Sequence, residues 1–559
     1  MKNLFSKILW ILLILIAIFP LEKIYSQTCD VTITSSSPYI DALASQYKSV
    51  KPGSTVCLQA GNWNYVQIQN FHGTQQQPIT FINKGGAVII DTDHFVGIKI
   101  GNCSHVIFRG DGDPSEKYGF RVLKVSKGAG MGVDDLSTNV EVSHVELSNT
   151  AIGGLYAKTD PNCSYFKSTR DKFTMYNFSF HDSYIHDTKD EGMYIGNSHY
   201  TGLHLTGTCD TVVYPHVLKG VEVYNNIVEN TGYDGIQVSS AVSGCSIHDN
   251  QINFDSQAGV LYQMSGIMIG GGSVCKTYNN KIINGKGDGI DVFGMGNFNI
   301  FNNLIVNVGR TYFPNNPNIQ KHGIFVGVDT VLNQAVLGIY NNTIVSPKTF
   351  GIKLTNNKLK QTRVINNLIT TPGKYADVGS AAFINSDLSQ GKLFLATNYT
   401  SNSIPAVKFI DPNNYNFDLQ PDSPAIDYGT NLTAEGVTFD IDNRSRPYHG
   451  YFDAGAYESH NPSVGIQNRL AADLQSMKLY PNPISKKKAI LEFTVNKTQP
   501  VGIFIRDITG RIIKKYTTVG NAWLPQKQNL NLDFISPGVY ILTIKTIKGK
   551  SSLEMIIHP

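Results

Sequence analysis

Five side chains define the chemistry this sequence could do: Asp234, Asp288, Asp291, Lys321 and His322. Asp234 and Asp288 each precede a Gly that opens a short alternating run, Gly235-Ile236-Gln237-Val238 and Gly289-Ile290-Asp291-Val292. Lys321-His322 precedes a third such run, Gly323-Ile324-Phe325-Val326. Carboxylates held near one another can pass protons, with Lys or His as a base beside them. They can also hold a hard cation such as Ca²⁺ through oxygen ligands, and Asp234, Asp288 and Asp291 are the candidates for that. Asp before Gly is ordinary turn chemistry as well, so the chemistry depends on what brings these groups together.

That positioning comes from a repeat. Val223-Tyr224-Asn225-Asn226, Ile247-His248-Asp249-Asn250, Thr277-Tyr278-Asn279-Asn280, Ile300-Phe301-Asn302-Asn303, Ile339-Tyr340-Asn341-Asn342 and Val364-Ile365-Asn366-Asn367 each lie between two apolar runs. Their last residues are 24, 30, 23, 39 and 25 positions apart. Gly-led runs alternate with these marks, reading as strands with side chains pointing in and out at period two. So small a unit must stack on its neighbours to bury an apolar face. Stacking turns the Gly-led strands into two columns. The residue before the Gly gives Glu191, Asp234, Ser265, Asp288, His322 and Phe350; the second residue after it gives Tyr194, Gln237, Met268, Asp291, Phe325 and Lys353. Acids, amides and aromatic rings in parallel lines suit a carbohydrate, with Glu191, Tyr194, Gln237, Phe325 and Lys353 as binding groups. The doubled Asn marks read as ladders satisfying turn backbone.

Units of this length, with turns too short for a crossover helix, imply an all-β, parallel β-helix solenoid. On these repeats the chain resembles the right-handed β-helix superfamily that includes pectate lyases, polygalacturonases and chondroitinase-B-like lyases. Lys51-Pro52-Gly53-Ser54-Thr55-Val56 and Ala60-Gly61-Asn62-Trp63 resemble the first coils of the lyases. Thr231-Gly232-Tyr233-Asp234-Gly235 and Asp288-Gly289-Ile290-Asp291 look like the Asp-rich turns of calcium-dependent pectate lyases. The resemblance implies β-elimination on a uronic-acid polysaccharide, with Asp234, Asp288 and Asp291 around a cation and Lys321 or His322 as base. Lys286-Gly287-Asp288-Gly289-Ile290-Asp291 is similar to the acidic motif of polygalacturonases, which implies inverting hydrolysis instead. Asp234 and Asp288, two coils apart, are then separated by about 9.6 Å, near the upper limit for an inverting pair. That family's Asp pair is replaced by Lys321-His322, and its Arg-x-Lys by Gly351-Ile352-Lys353. A non-catalytic surface adhesin of the same fold is the remaining class.

The 559 residues carry a net charge of +4. Residues 461–559 hold 14 Lys plus Arg against 5 acids, and residues 27–460 hold 30 against 37. The long region is therefore acidic, and nothing in its charge suggests nucleic acid as a partner. Lys2, Lys7, the apolar stretch 8–19 and Pro20 read as a signal peptide over 1–26. All seven Cys follow it, so disulfides are permitted. Cys245 and Cys275 each stand five residues before their Asn mark and are expected to touch on adjacent coils; Cys163 and Cys209 lie in two interruptions, 158–171 and 197–215, and can pin them together. Ser37-Pro38 with Ile40, Leu43, Ala44 and Tyr47 predicts a short capping helix.

Residues 27–460 are read as the solenoid. Its last part, with Asp422-Ser423-Pro424-Ala425-Ile426-Asp427 and Asp453-Ala454-Gly455-Ala456-Tyr457-Glu458, resembles the closing segment of bacterial surface β-helix proteins. A linker, 461–475, leads to a module over 476–559. Leu479-Tyr480-Pro481-Asn482-Pro483 and Pro537-Gly538-Val539-Tyr540 resemble the C-terminal sorting domain of the type IX secretion system, and period-two runs independently argue for a β-sandwich. The resemblance implies handling by that secretion machinery and a place outside the outer membrane, secreted or surface-attached. The expected state is a monomer.

Overall fold

The computed structural model describes residues 28–559, apart from 317, 328–329, 356, 374–382, 449, 461–472, 483, 485–486, 508–510, 534 and 558–559. The expected signal peptide and most of the expected linker lie outside the described residues.

Residues 31–401 wind into a parallel β-helix. A coil contributes one strand to a 12-stranded sheet and two to a 23-stranded sheet; Ile236–Val238, Ala241–His248 and Gln251–Asn253 make one such coil. Along the 12-stranded sheet the register runs Tyr156, Tyr194, Gln237, Met268, Asp291, Phe325, Lys353, each opposite the next. The inward neighbours Leu155, Met193, Ile236, Ile267, Ile290, Ile324 and Ile352 are fully buried in line. Each stabilises the stack by about 1.5–3 kcal/mol through apolar burial.

Two residue types enforce the repeat. The glycines opening these strands permit close approach between coils. A Cβ on Gly289 would lie 2.5 Å from Gly323 O and Ile305 Cγ2, and one on Gly235 would lie 2.6 Å from Gly266 O. The doubled Asn marks form a ladder. The second Asn donates from Nδ2 to the next Oδ1 at 2.9–3.0 Å through Asn226, Asn250, Asn280, Asn303, Asn342, Asn367 and Asn398. The residue before it adopts the left-handed region at each mark, as at Asn225, Asp249 and Asn279 (φ 54°, 54° and 55°), where a short polar side chain is tolerated. One position earlier, His181, Tyr224, His248, Tyr278 and Phe301 stack with centroids 4.5–5.2 Å apart.

Cys245 and Cys275 are bonded, with Cα atoms 4.4 Å apart, so the repeat register is correct. Cys163–Cys209 joins the two interruptions, and Cys29–Cys57 ties the first strand to the next coil. The predicted capping helix is absent. Tyr39–Asp41 pairs as a strand with Gln67–Gln69, and only Ser45–Tyr47 forms a 3₁₀ turn. Ile40 and Tyr47 are buried but Leu43 is 77% exposed, so the spacing was not one buried face.

Residues 404–458 lie along the flank of the last coils. Phe409, Phe417, Ile426 and Tyr457 pack on Leu304, Val306, Val345 and Leu368. Ala456 N donates to Thr343 Oγ1 and Asn341 Nδ2 to Asp453 O, both at 2.8 Å. Arg446, Asp453 and Glu458 are buried and bonded within this segment, which leaves them structural.

The C-terminal module is an antiparallel sandwich of a three-stranded and a four-stranded sheet around Phe493, Ile503, Ile505 and Leu542. Its first strand, Leu474–Tyr480, begins inside the expected linker.

Candidate functional site

Both predicted columns exist. Gly192 N donates to Asp234 O, Gly235 N to Ser265 O, Gly289 N to His322 O and Gly323 N to Phe350 O, so Glu191, Asp234, Ser265, Asp288, His322 and Phe350 follow one another up one edge. The columns do not, however, form one open groove. Asp234 is fully buried, Asp288, Asp291 and His322 are 5–7% exposed, and Gln237 is 3% exposed. Two loops off the repeat, 254–264 and 310–320, cross here. Lys321 Nζ donates to Met264 O at 3.3 Å, Tyr312 Oη reaches Gly259 O at 3.5 Å, and Lys348 Nζ is held by Tyr312 O and Phe313 O.

Beneath those loops lies a buried acidic cluster with a cation built in. Lys321 Nζ is 2.8 Å from Asp288 Oδ2, and His322 N donates to Asp288 Oδ1. Burial opposes the charge on Lys321, but Asp288 and Asp291 outweigh it and raise its pKa. Asp234 Oδ1 accepts from Ser265 N and Oγ at 2.7 Å, and burial pushes its carboxyl up to about 8. Asp291 is raised well above the usual range by burial and then by Asp288. Asp255 joins the cluster, pushed up to about 6 by burial; no repeat position marked it. His322 is driven down to about 4 by burial, shares Nδ1 with Thr349 Oγ1 at 2.8 Å and stacks on Phe325 and Phe350. It is a neutral packing group, unsuited to serve as a surface base. Lys353 is tied to Asn385 and Asp387.

Among the described residues, no group of three or more His, Cys, Asp or Glu side chains is arranged to hold a metal ion. The expected calcium ligands do not fit one. Asp288 is satisfied by Lys321 and His322, so the lysine ammonium supplies the positive charge a cation would have supplied.

The open groove lies N-terminal to this cluster on the same sheet. It is a cavity of about 730 Å³ whose floor carries Tyr156, Tyr194 and Glu191 and whose wall is the loop from Lys158 to Tyr165. Tyr156 Oη donates to Glu191 Oε2 at 3.4 Å, and Tyr194 Oη shares a hydrogen bond with Ser198 Oγ at 2.8 Å. Lys158 sits 3.9 Å from the centre of the Tyr194 ring and 2.9 Å from Asp160 Oδ2. Lys99 spans Asp134 and Asp135 at 3.2 and 2.9 Å. Burial raises Asp134 to about 6, and burial with Asp190 holds Glu191 above the usual carboxyl range. Cys163–Cys209 and the bond from Asn197 Nδ2 to Asp160 Oδ1 fasten the wall to the second interruption.

Of the expected site residues, only Glu191 and Tyr194 line this groove. Sequence reasoning missed Tyr156, Lys158 and Asp134. Gly154-Leu155-Tyr156-Ala157 repeats the pattern of Gly192-Met193-Tyr194-Ile195, so extending the column one coil back would have found Tyr156.

Residues 173–386 match the family model described as right handed beta helix region, and residues 478–558 match that of the secretion system C-terminal sorting domain. The chain is a right-handed parallel β-helix protein with a type IX secretion sorting domain, which places it at the cell surface or in the extracellular space. No curated protein sequence matches the chain. Among solved structures it is similar to pectate lyase Pel9A, at 15% identity over 78% of this chain and 98% of that one, TM-score 0.38. It is also similar to the A-module of the Azotobacter vinelandii mannuronan C-5 epimerase AlgE6, at 14% identity over 66% and 99%, TM-score 0.38. A third likeness is to tailspike protein gp49 of Acinetobacter baumannii bacteriophage Fri1, a capsular polysaccharide depolymerase, at 9% identity over 95% and 85%, TM-score 0.34. These are likenesses of fold alone.

Proposed function

We propose that this is an extracellular polysaccharide-cleaving protein that grips a glycan chain in the groove of Tyr156 and Tyr194, with Glu191 as proton donor. The observation that carries the reading is the groove itself. It has the size of a ligand site, it offers tyrosine rings to sugar faces and acids to hydroxyls, and it contains a carboxyl whose raised pKa suits a general acid. Five lining residues are acidic and one, Lys158, is basic. A polyuronate is repelled by such a lining, so hydrolysis of a glycan of low anionic charge is favoured over the uronate elimination that the sequence resemblance implied.

The test is to incubate the secreted protein with neutral, amino-sugar and uronate polymers while following reducing ends and the ultraviolet absorbance of unsaturated uronate products. Reducing ends from a neutral or amino-sugar polymer, lost in Glu191→Gln, support the reading. Unsaturated product from a uronate polymer restores the lyase. Binding without any product makes the protein an adhesin.

A further inference from the structure

The groove ends at Tyr194, but its floor does not. Gln237, Met268 and Asp291 continue the Tyr156–Tyr194 column in unbroken register, and Asp234 continues the column of Glu191. Asp234 Oδ2, Gln237 Oε1 and Asp291 Oδ1 are buried there with no hydrogen-bond partner, on residues more than nine-tenths buried. Gln263 Oε1, in the overlying loop, is likewise unpartnered. Gln237 Oε1 and Gln263 Oε1 are acceptors, while the carboxyls of Asp234 and Asp291, raised by burial, can donate as well as accept. Sugar hydroxyls both donate and accept, and an unmet buried polar atom costs about 1–3 kcal/mol.

The cover is unevenly fastened. Residues 256–258 are tied to the preceding coil through Ser256 N to Tyr233 O, Gln257 N to Thr231 O and Ala258 N to Gly232 O. In 259–263 the backbone N–H bonds turn back on the loop itself, from Gly259 N to Ser256 O and Gln263 N to Val260 O. The Tyr312 edge rests on Gly259, while Leu261 and Tyr262 are 65% and 85% exposed. Few buried contacts mark a segment that opens below the cost of global unfolding.

We propose that residues 259–263 are a lid over the continuation of the glycan groove, and that the strip from Asp234 to Asp291 beneath it binds further hydroxyl-rich, uncharged sugar units once the lid lifts. Gln237, held by Ser198 Oγ at 2.7 Å, lies at its near end under the other loop. The saccharide part rests on the functional reading above; the lid does not.

Ser265→Cys places a thiol on the buried strand beneath the lid, and Cys103, free and buried in the solenoid, is an internal control that reacts only on unfolding. A small maleimide is expected to label the introduced thiol about tenfold or more faster than Cys103, and faster again when Tyr312→Ala removes the wedge. Equal rates for both thiols in both backgrounds would overturn the lid; Asp291→Cys, at a buried position of the same strip, repeats the test if Ser265→Cys fails to fold. Neutral xylan and glucan oligosaccharides of increasing length are then added. Slower labelling of the introduced thiol by long but not short chains supports the covered strip. Chains that bind the groove, judged by loss of affinity in Tyr194→Ala, yet leave the rate unchanged overturn it. Binding of none of these chains counts against the saccharide part, while the lid stands or falls on the thiol rates alone.

Discussion

Lys321 Nζ lies 2.8 Å from Asp288 Oδ2, with the two side chains 12% and 9% exposed. Lys321 is the cation acting on Asp288, Asp255 and Asp291 in these buried surroundings, and Asp288 adds to the repulsion on Asp291. Removing one member of a buried pair leaves an uncompensated charge, which costs about 3–5 kcal/mol. Lys321→Met is therefore expected to lower unfolding free energy by about that much, as read from urea denaturation, and Lys321→Met with Asp288→Leu to recover most of it.

Through Asp234, stability is expected to fall as pH rises from about 4 to about 8, most plainly above about 6.5. His322, held down to about 4 by burial, works the opposite way below that. Asp234 titrates near 8 in the folded protein and near about 4 when unfolded, so between those values the native state holds a proton the unfolded chain has lost. Unfolding then releases a proton, and stability declines with pH. Asp255 adds to the lower part of the window, up to about 6. Urea midpoints at pH 5 and pH 8 measure the slope, and Asp234→Asn is expected to flatten it. An unchanged slope in that variant would show that Asp234 does not carry it.

The Asn ladder predicts a position-specific penalty. Asn280 donates to Ile247 O and Asn303 Oδ1, and accepts from Asn250 N and Asn250 Nδ2. Asn280→Ala strips partners from several buried groups at about 1–3 kcal/mol each. Asn280→Asp is expected to be as bad or worse, since a carboxylate would face Asn303 Oδ1. Thermal unfolding of both variants is the measurement.

Two of the three disulfides are expected to separate in effect. Cys245–Cys275 links adjacent coils of the stack, so its loss should lower unfolding free energy by about 2–4 kcal/mol. Cys163–Cys209 fastens the groove wall. Ser at both positions should raise the KM or Kd for a bound glycan severalfold while leaving the solenoid's thermal midpoint close to wild type.

In the groove, Tyr194→Ala removes the ring facing Lys158 and is expected to weaken glycan binding by about 1 kcal/mol. Tyr194→Phe, which keeps the ring and loses only the hydroxyl's two bonds, with Ser198 Oγ and from Ser198 N, should retain most of the affinity. Calorimetric titration of both variants distinguishes ring stacking from hydrogen bonding.

Read alone, the sequence determined the coil. Apolar residues at period two, a Gly wherever coils approach within contact of a neighbouring carbonyl, and an Asn whose amide can serve two coils at once are local requirements repeated down the chain. They set the register, the Cys245–Cys275 bond and both columns from Glu191 to Phe350 and Tyr194 to Lys353. Which parts of those columns meet solvent was decided only in three dimensions. The answer depends on non-periodic segments, 254–264 and 310–320 over Asp288 and Asp291, and 158–171 and 197–215 beside Glu191, and these are held by contacts between distant residues such as Tyr312 with Gly259 and Cys163 with Cys209. A repeat tells which side chains face outward; burial depends on what crosses above them, and the period carries no trace of that.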